Sequence, residues 1–268
     1  MPKILSGAEP AQRIKENIKD SKIRGMTLAI VRVGDNPASA VYVKNKIKDC
    51  QECGIPVAEY HLPEDIGIAN FCNLITDLGN NNSISGIIVQ KPLPADLPDP
   101  SDLIPPHKDI DCFNPENVGK MFLGHPAFLP CTPAGIMALL DYYHIDVTGM
   151  NCVVIGRSNI VGKPMATLLT AADATVTLCH SKTKDLEFYT KNADLIVCAI
   201  GIPKFLKADM IKEGAILIDV GINRSEDGSL CGDIDFDDVY DKCGSITPVP
   251  GGVGLMTRAI LLQNWSYT

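Results

Sequence analysis

Tyr42 and Lys46 stand four residues apart in a stretch with helical patterning, residues 38–53, which puts a phenol and an amine on one helix face. A phenol can stack on a planar ring. An amine beside it can shuttle protons if burial or nearby positive charge brings its titration toward neutrality. The same pair also occurs on solvated helices with no catalytic duty, so it needs company. Gln90 ends the apolar run GIIVQ, where a strand-end amide can orient a water or a lysine, or simply terminate a strand. Asp109 and Asp111 follow in HKDIDCF. A carboxylate there can accept two parallel hydrogen bonds from an amidine-like heterocycle, or belong to an acidic loop.

A second set lies at 153–164, VVIGRSNIVGKP, which reads as a buried strand, a glycine turn and a helix with Pro164 in its first turn. In that layout backbone N–H groups and the helix dipole meet a pyrophosphate. The turn is Gly156…Gly162 rather than G-x-G-x-x-G: Ser158 stands at the second glycine and the spacing is one residue longer. The plain alternative is an ordinary strand–turn–helix connection. Arg157 sits inside the turn, and the next strand, 174–179, ends in His180-Ser181-Lys182-Thr183 with no Asp or Glu. NAD-selective sites place an acid there for the ribose 2′-hydroxyl. An arginine, hydroxyls and no acid suit a 2′-phosphate, so the expected cofactor is NADP. His180 reads as a residue that shapes this turn rather than a general base. Residues 248–254, PVPGGVG, pair glycines between prolines, which lets backbone approach a flat ligand or forms a rigid linker.

These residues need elements to hold them. Apolar strands are expected over 27–33, 57–61, 86–90, 151–155, 174–179, 195–199, 215–220 and 244–247. Helices are expected near the N-terminus and over 38–53, 69–78, 133–143, 164–171 and 253–265. Strands of this kind, interleaved with helices, imply an α/β fold with parallel sheets buried on both faces. The proline- and acid-rich run at 92–133 is expected to be a long functional loop rather than a helix. It separates a first lobe, residues 1–124, from a Rossmann-like second lobe, 125–252, with the last helix, 253–268, returning to the first.

A net charge of −8 argues against a nucleic-acid or anionic-membrane partner. No apolar run approaches bilayer length, and no signal peptide is read at the N-terminus. The 10 cysteines form no framework: Cys152, Cys179 and Cys198 lie in strand-like runs, and Cys50 and Cys53 make a C-x-x-C without a second pair. Free thiols fit a reducing cytoplasm. His61, His107, His125 and His144 show no metal spacing, so no metal is expected.

Together these segments resemble the bifunctional methylenetetrahydrofolate dehydrogenase/methenyltetrahydrofolate cyclohydrolases. The likeness spans VGDNPASAVYVKNK (33–46), GIIVQKPLP (86–94), HKDID (107–111), PCTPAG (130–135), GRSNIVGKP (156–164), CHSKT (179–183), DVGIN (219–223) and TPVPGGVG (247–254), in that order. The resemblance implies oxidation of 5,10-methylenetetrahydrofolate with NADP, then hydrolysis of the methenyl product to 10-formyltetrahydrofolate. It implies roles in that chemistry: Lys46 as the catalytic lysine, Gln90 as its positioning partner, Tyr42 stacking on the folate and Asp111 holding the pterin. Pro250, Gly251 and Gly252 join the folate side. Gly156, Arg157 and Ser158 match the phosphate turn, Ser181 a 2′-phosphate contact, and Ile222 a cofactor-facing loop. It further implies a cytoplasmic homodimer with a cleft between its lobes. Lys91, Cys112 and Leu255 depart from the family pattern, standing for leucine, glycine and proline. Lys91 is read as facing solvent.

Four other readings compete. Tyr-x-x-x-Lys occurs in short-chain dehydrogenases, but there it follows the nucleotide turn, whereas here it precedes it. Another two-lobed NADP-dependent dehydrogenase, acting on shikimate-like or amino-acid substrates, and a monofunctional dehydrogenase also fit the pattern. A nucleotide-sensing module without chemistry is the non-enzyme alternative.

Overall fold

A computed structural model describes residues 1–20, 26–225 and 228–268. Along the chain run β1 (Lys3–Ile4), α1 (Ala8–Asp20), β2 (Thr27–Val33), α2 (Pro37–Glu52), β3 (Val57–Leu62), α3 (Ile68–Asn80), β4 (Ile84–Val89), α4 (Pro115–Phe122) and α5 (Cys131–Tyr142). There follow β5 (Asn151–Ile155), α6 (Gly162–Ala171), β6 (Thr175–Cys179), α7 (Leu186–Thr190), β7 (Leu195–Cys198), β8 (Ile216–Asp219), β9 (Asn223–Arg224), β10 (Leu230–Cys231), α8 (Phe236–Val239), β11 (Ser245–Ile246) and α9 (Val253–Trp265). The chain divides into two units, Met1–Gln12 with Cys131–Thr257, and Arg13–Pro130 with Arg258–Thr268.

The first unit holds a parallel sheet in the order β1-β11-β8-β7-β5-β6. Its inner strands β5, β7 and β8 are largely buried, whereas β1 and β6 at the two edges are exposed or half-buried; Val153, Ile155, Ile196 and Leu217 are packed in one apolar cluster. After β6 the chain crosses back over β5 to form β7. The order therefore reverses at β5, and ligands of open α/β sheets bind at such a reversal, beyond the carboxyl ends of the strands.

The second unit holds the parallel sheet β3-β2-β4. Every residue of β4 is buried. α3 covers the sheet with Phe71, Ile75 and Leu78, spaced four and three apart on one stripe. Gly86 is glycine for space: a Cβ there would sit 3.1 Å from both Ile110 and Trp265. Asn264 Nδ2 donates to the carbonyls of Ile110 and Leu129 at 2.8 and 2.9 Å, fastening the end of α9 to this unit.

Two expectations change. The run at 92–133 contains α4, which begins where Asn114 Oδ1 accepts the Glu116 N–H at 2.8 Å and Pro115 occupies the first helical position. One-turn 3₁₀ segments at Pro100–Asp102 and Pro106–Lys108 precede it. The unit boundaries also differ from those read in the sequence. Residues 1–12 join the six-stranded unit because Lys3 and Ile4 pair with Ser245 and Ile246. The last helix changes unit at Arg258, within its length rather than at its start.

Candidate active site

α2 carries the amine. Asn36 Oδ1 accepts the Ser39 N–H at 3.0 Å and Pro37 occupies the first position, a capped start that fixes the helix register. Tyr42 and Lys46 then fall one turn apart, and the Lys46 ammonium lies 5.3 Å from the centre of the Tyr42 ring. Lys46 is 7% exposed and makes no ion pair among the described residues. An ammonium so buried and without a carboxylate partner marks a functional site more often than a structural one. Asp49, three residues on and 4% exposed, is instead held by Lys15 of α1 and by Arg258 of α9, whose Nη1 lies 3.2 Å from Asp49 Oδ2. Burial pushes the Cys50 thiol up to about 12 and raises Cys53 as well, so the C-x-x-C pair is a poor nucleophile.

Gln90 follows β4 directly. Its Nε2 donates to the Lys91 carbonyl at 2.7 Å, while its buried Oε1 has no protein partner. A buried acceptor left open is where a ligand or a lysine would bond. The two aspartates of HKDID separate cleanly. Asp109, 1% exposed, accepts the N–H groups of Phe113 and Asn114 at 3.1 and 2.8 Å and the Asn117 amide at 2.9 Å, so it is spent on the backbone. Asp111 is half-buried, and no hydrogen bond or ion pair engages its carboxylate among the described residues. Lys108 belongs to the fold: its Nζ donates to the carbonyls of Gly79 and Asn81, both at 2.8 Å, at the end of α3.

The departures from the family pattern also resolve. Lys91 bonds Asp99 at 2.6 Å and lies 5.5 Å from the Phe113 ring, one-third exposed; it is paired at the surface. Cys112 has φ +60°, is fully buried, and donates to the Phe128 carbonyl at 3.3 Å. The family's glycine thus falls at a left-handed position, where glycine carries no steric penalty. The Leu255 N–H donates to the Gly252 carbonyl at 3.2 Å, a bond proline would forgo.

The six-stranded unit presents a cavity of about 570 Å³ at the carboxyl ends of β5, β6 and β7. Gly156, Arg157, His180, Ser181, Thr183 and Ile200 contribute to its lining, and no carboxylate does. Gly156 has φ +119°, and a Cβ on it would collide with the Ala199 carbonyl; a Cβ on Gly162 would collide with the Gly156 carbonyl. Both glycines are therefore demanded by the turn itself. His180 shapes the second loop: its Nδ1 accepts the Lys182 N–H at 3.1 Å and its own N–H donates to Thr183 Oγ1 at 2.8 Å. The cavity, its arginine and its hydroxyls fit a nucleotide with a 2′-phosphate.

Ser158 and Ile222 stand apart from that cavity. Ser158 Oγ accepts the N–H groups of Val161 and Gly162 at 3.1 and 3.3 Å, capping α6. Ile222 is 56% exposed and reaches toward Gly254. In the 248–254 loop, Gly251 has φ +111° and would bring a Cβ into ordinary contact with Pro248 at 3.7 Å, whereas Gly252 is pressed on Gly7, whose N–H donates to the Gly251 carbonyl at 2.8 Å. Pro250 follows a cis peptide bond. Sequence reading missed two buried carboxylates, Asp219 and Asp233, the second of which bonds the cavity-lining Ile200. Asp219, ending β8, accepts N–H groups from Gly221, Asp233 and Ile234 at 2.9, 2.8 and 2.9 Å. Asp233 in turn accepts those of Ile200 and Gly201 at 2.7 and 3.0 Å. The DVGIN motif held the only sign, an aspartate ending an apolar run.

A sheet that reverses at a glycine turn, with a cavity at the strand ends, defines a nucleotide-binding α/β protein; in the other unit the buried Lys46 makes no ion pair among the described residues. Residues 5–111 match the family model of the tetrahydrofolate dehydrogenase/cyclohydrolase catalytic domain, and residues 130–268 that of its NAD(P)-binding domain. The chain belongs to the tetrahydrofolate dehydrogenase/cyclohydrolase family. It is 53% identical over 270 residues to the bifunctional protein FolD of Campylobacter concisus, covering 98% of this chain and 95% of that one. The crystal structure of FolD methylenetetrahydrofolate dehydrogenase/cyclohydrolase from Campylobacter jejuni superposes with a TM-score of 0.96 at 49% identity, covering 99% and 98% of the two chains. The Trypanosoma brucei enzyme complexed with NADP and inhibitor gives 0.93 at 33% identity, covering 100% and 97%.

Proposed function

We propose that Lys46 carries the proton-transfer chemistry of a bifunctional folate enzyme, with Tyr42, Gln90 and Asp111 arranging the substrate around it. The protein oxidises 5,10-methylenetetrahydrofolate to 5,10-methenyltetrahydrofolate with NADP and hydrolyses that product to 10-formyltetrahydrofolate. The observation that carries the assignment is Lys46 itself, buried, without an ion pair among the described residues, and 5.3 Å from the centre of the Tyr42 ring.

Bound NADP supplies a hydride acceptor. Gly156, Arg157 and Ser181 would hold it, the arginine and hydroxyl being suited to its phosphates; Ser158 closes the turn before α6, and Ile222 lies in the loop after β8. No proton leaves the substrate in that half-reaction, so positioning is the protein's contribution. Hydrolysis differs. Water adds to the methenyl carbon and Lys46 Nζ takes the proton released; that proton is returned to the ring nitrogen as its bond to the carbon breaks, while the hydroxyl proton of the adduct leaves to solvent as the formyl carbonyl forms, the one proton the overall reaction releases. The open Oε1 of Gln90 is suited to orient Lys46 or the attacking water. The Tyr42 ring offers a stacking face, and the Asp111 carboxylate is free to accept paired hydrogen bonds from the pterin. Pro250, Gly251 and Gly252 keep the folate contacts that the family resemblance implies; a Cβ on Gly251 would meet Pro248 at 3.7 Å.

A cytoplasmic homodimer is proposed with this activity. The ten free cysteines suit a reducing compartment, and among the described residues no helix is long and apolar enough to cross a membrane. Turnover of 5,10-methylenetetrahydrofolate followed spectrophotometrically with NADP and NAD side by side tests the reading. Faster turnover with NADP, then conversion of the methenyl product, is expected. Accumulation of the methenyl product with no hydrolysis beyond the buffer rate means a dehydrogenase alone.

A further inference from the structure

Lys46 and Asp49 are both buried and three residues apart on α2, a spacing at which opposite charges ordinarily pair. They do not. Asp49 Oδ1 is hydrogen-bonded by Lys15, which Glu52 braces at 3.2 Å, and Arg258 Nη1 faces Asp49 Oδ2 at 3.2 Å as an ion pair without a hydrogen bond. These cations come from α1 and α9, so three helices meet at one carboxylate. The fully buried Cys50 thiol sits among the same charges: Asp49, Lys46 and Lys15 all act on it. The charged and titratable groups around Lys46 are thus Tyr42, Asp49 and Cys50 on its own helix, with Lys15 and Arg258 facing Asp49 from the other two.

We infer that Lys15 and Arg258 are positioning residues for the cyclohydrolase step: by holding Asp49 they keep the nearest carboxylate on α2 from capturing the Lys46 ammonium. An ammonium locked in a buried ion pair neither reaches water nor gives up its proton readily. The inference rests on the role of Lys46 given above. It is specific to one half of the chemistry, because hydride transfer moves no proton through Lys46. Remove either cation, and Asp49 is left buried with a partner lost and a lysine one turn away.

The test compares Lys15→Met, Asp49→Asn and the double variant with the unaltered enzyme, in both assays and at equal folded fraction by circular dichroism. Methenyl hydrolysis and NADP-dependent oxidation are measured separately. Lys15→Met is expected to lower kcat for hydrolysis by about tenfold or more while the dehydrogenase kcat stays within about twofold. Adding Asp49→Asn should restore hydrolysis, since the competing carboxylate is gone; Asp49→Asn alone should hydrolyse normally. Arg258→Met repeats the test from the other side if Lys15→Met fails to fold. Parallel loss of both activities, or unchanged hydrolysis in well-folded single variants, overturns the inference. Failure of the unaltered enzyme to hydrolyse the methenyl substrate overturns the bifunctional reading instead, so the two failures are distinguishable.

Discussion

Asp219 Oδ1 accepts the backbone N–H of Asp233 at 2.8 Å, so the carboxylate ending β8 fixes the residue whose own carboxylate holds the cavity-lining Ile200. Burial raises the Asp219 carboxyl to about 6, against the pull of the three N–H groups it accepts. A carboxyl whose folded pKa lies above its unfolded value binds its proton more tightly when folded. Its contribution to stability is therefore full below the unfolded value of 3.8 and is lost as pH rises through about 6. The loss amounts to about 3 kcal/mol, two units or so at 1.36 kcal/mol each. Urea unfolding of the unaltered chain and Asp219→Asn from pH 4 to 7 should show the unaltered chain losing that much relative to the variant. Asp109, also pushed up by burial, adds a slope of the same sign that the comparison cancels. A pH-independent gap contradicts this.

Ser181 lines a cavity that no carboxylate lines. Ser181→Asp places a charge that repels a 2′-phosphate and accepts a 2′-hydroxyl. The ratio of kcat/KM for NADP over NAD should fall by about tenfold or more, most of it from lost NADP activity. An unchanged ratio places the 2′-phosphate elsewhere.

Gly162 faces the Gly156 carbonyl so closely that any side chain collides with it. Gly162→Ala must open the turn, at a cost of about 1–3 kcal/mol in stability. NADP affinity, read by fluorescence titration of folded protein, should drop steeply. Undiminished affinity means the turn does not cradle the cofactor.

At Cys112, with φ +60°, the usual order of alanine and glycine should invert. Alanine gives up the thiol and keeps the left-handed penalty of about 1–2 kcal/mol, whereas glycine relieves it. Thermal unfolding should therefore rank Cys112→Gly above Cys112→Ala. The reverse order shows that this backbone is not strained.

Strands buried on both faces were legible because an unbroken apolar run is itself the signal, as at GIIVQ and NCVVI. The Tyr42–Lys46 face followed from helical spacing alone. β1, β9 and β10 were not legible: two residues carry no periodicity, and β1 is a strand only because β11 offers it an edge. α4 carried a readable start, Asn114-Pro115-Glu116, masked by the proline and acid density around it. Nor does HKDID say which aspartate is spent. Asp109 and Asp111 share a loop and a chemistry, and only burial, with the N–H groups converging on Asp109, separates them. Asp233 and the Lys15–Asp49–Arg258 contact depend on residues 33, 34 and 209 apart meeting in space, which no local pattern encodes.

The most direct measurement is methenyltetrahydrofolate hydrolysis by Lys46→Met, whose side chain keeps the buried stem and removes the amine. Hydrolysis should fall by about 10²–10⁴-fold, the usual worth of a positioned proton carrier. NADP affinity should stay within about twofold, because Lys46 shares no partner with the cofactor residues. A variant that hydrolyses at the original rate, or one that loses NADP affinity along with hydrolysis, contradicts the role given to Lys46.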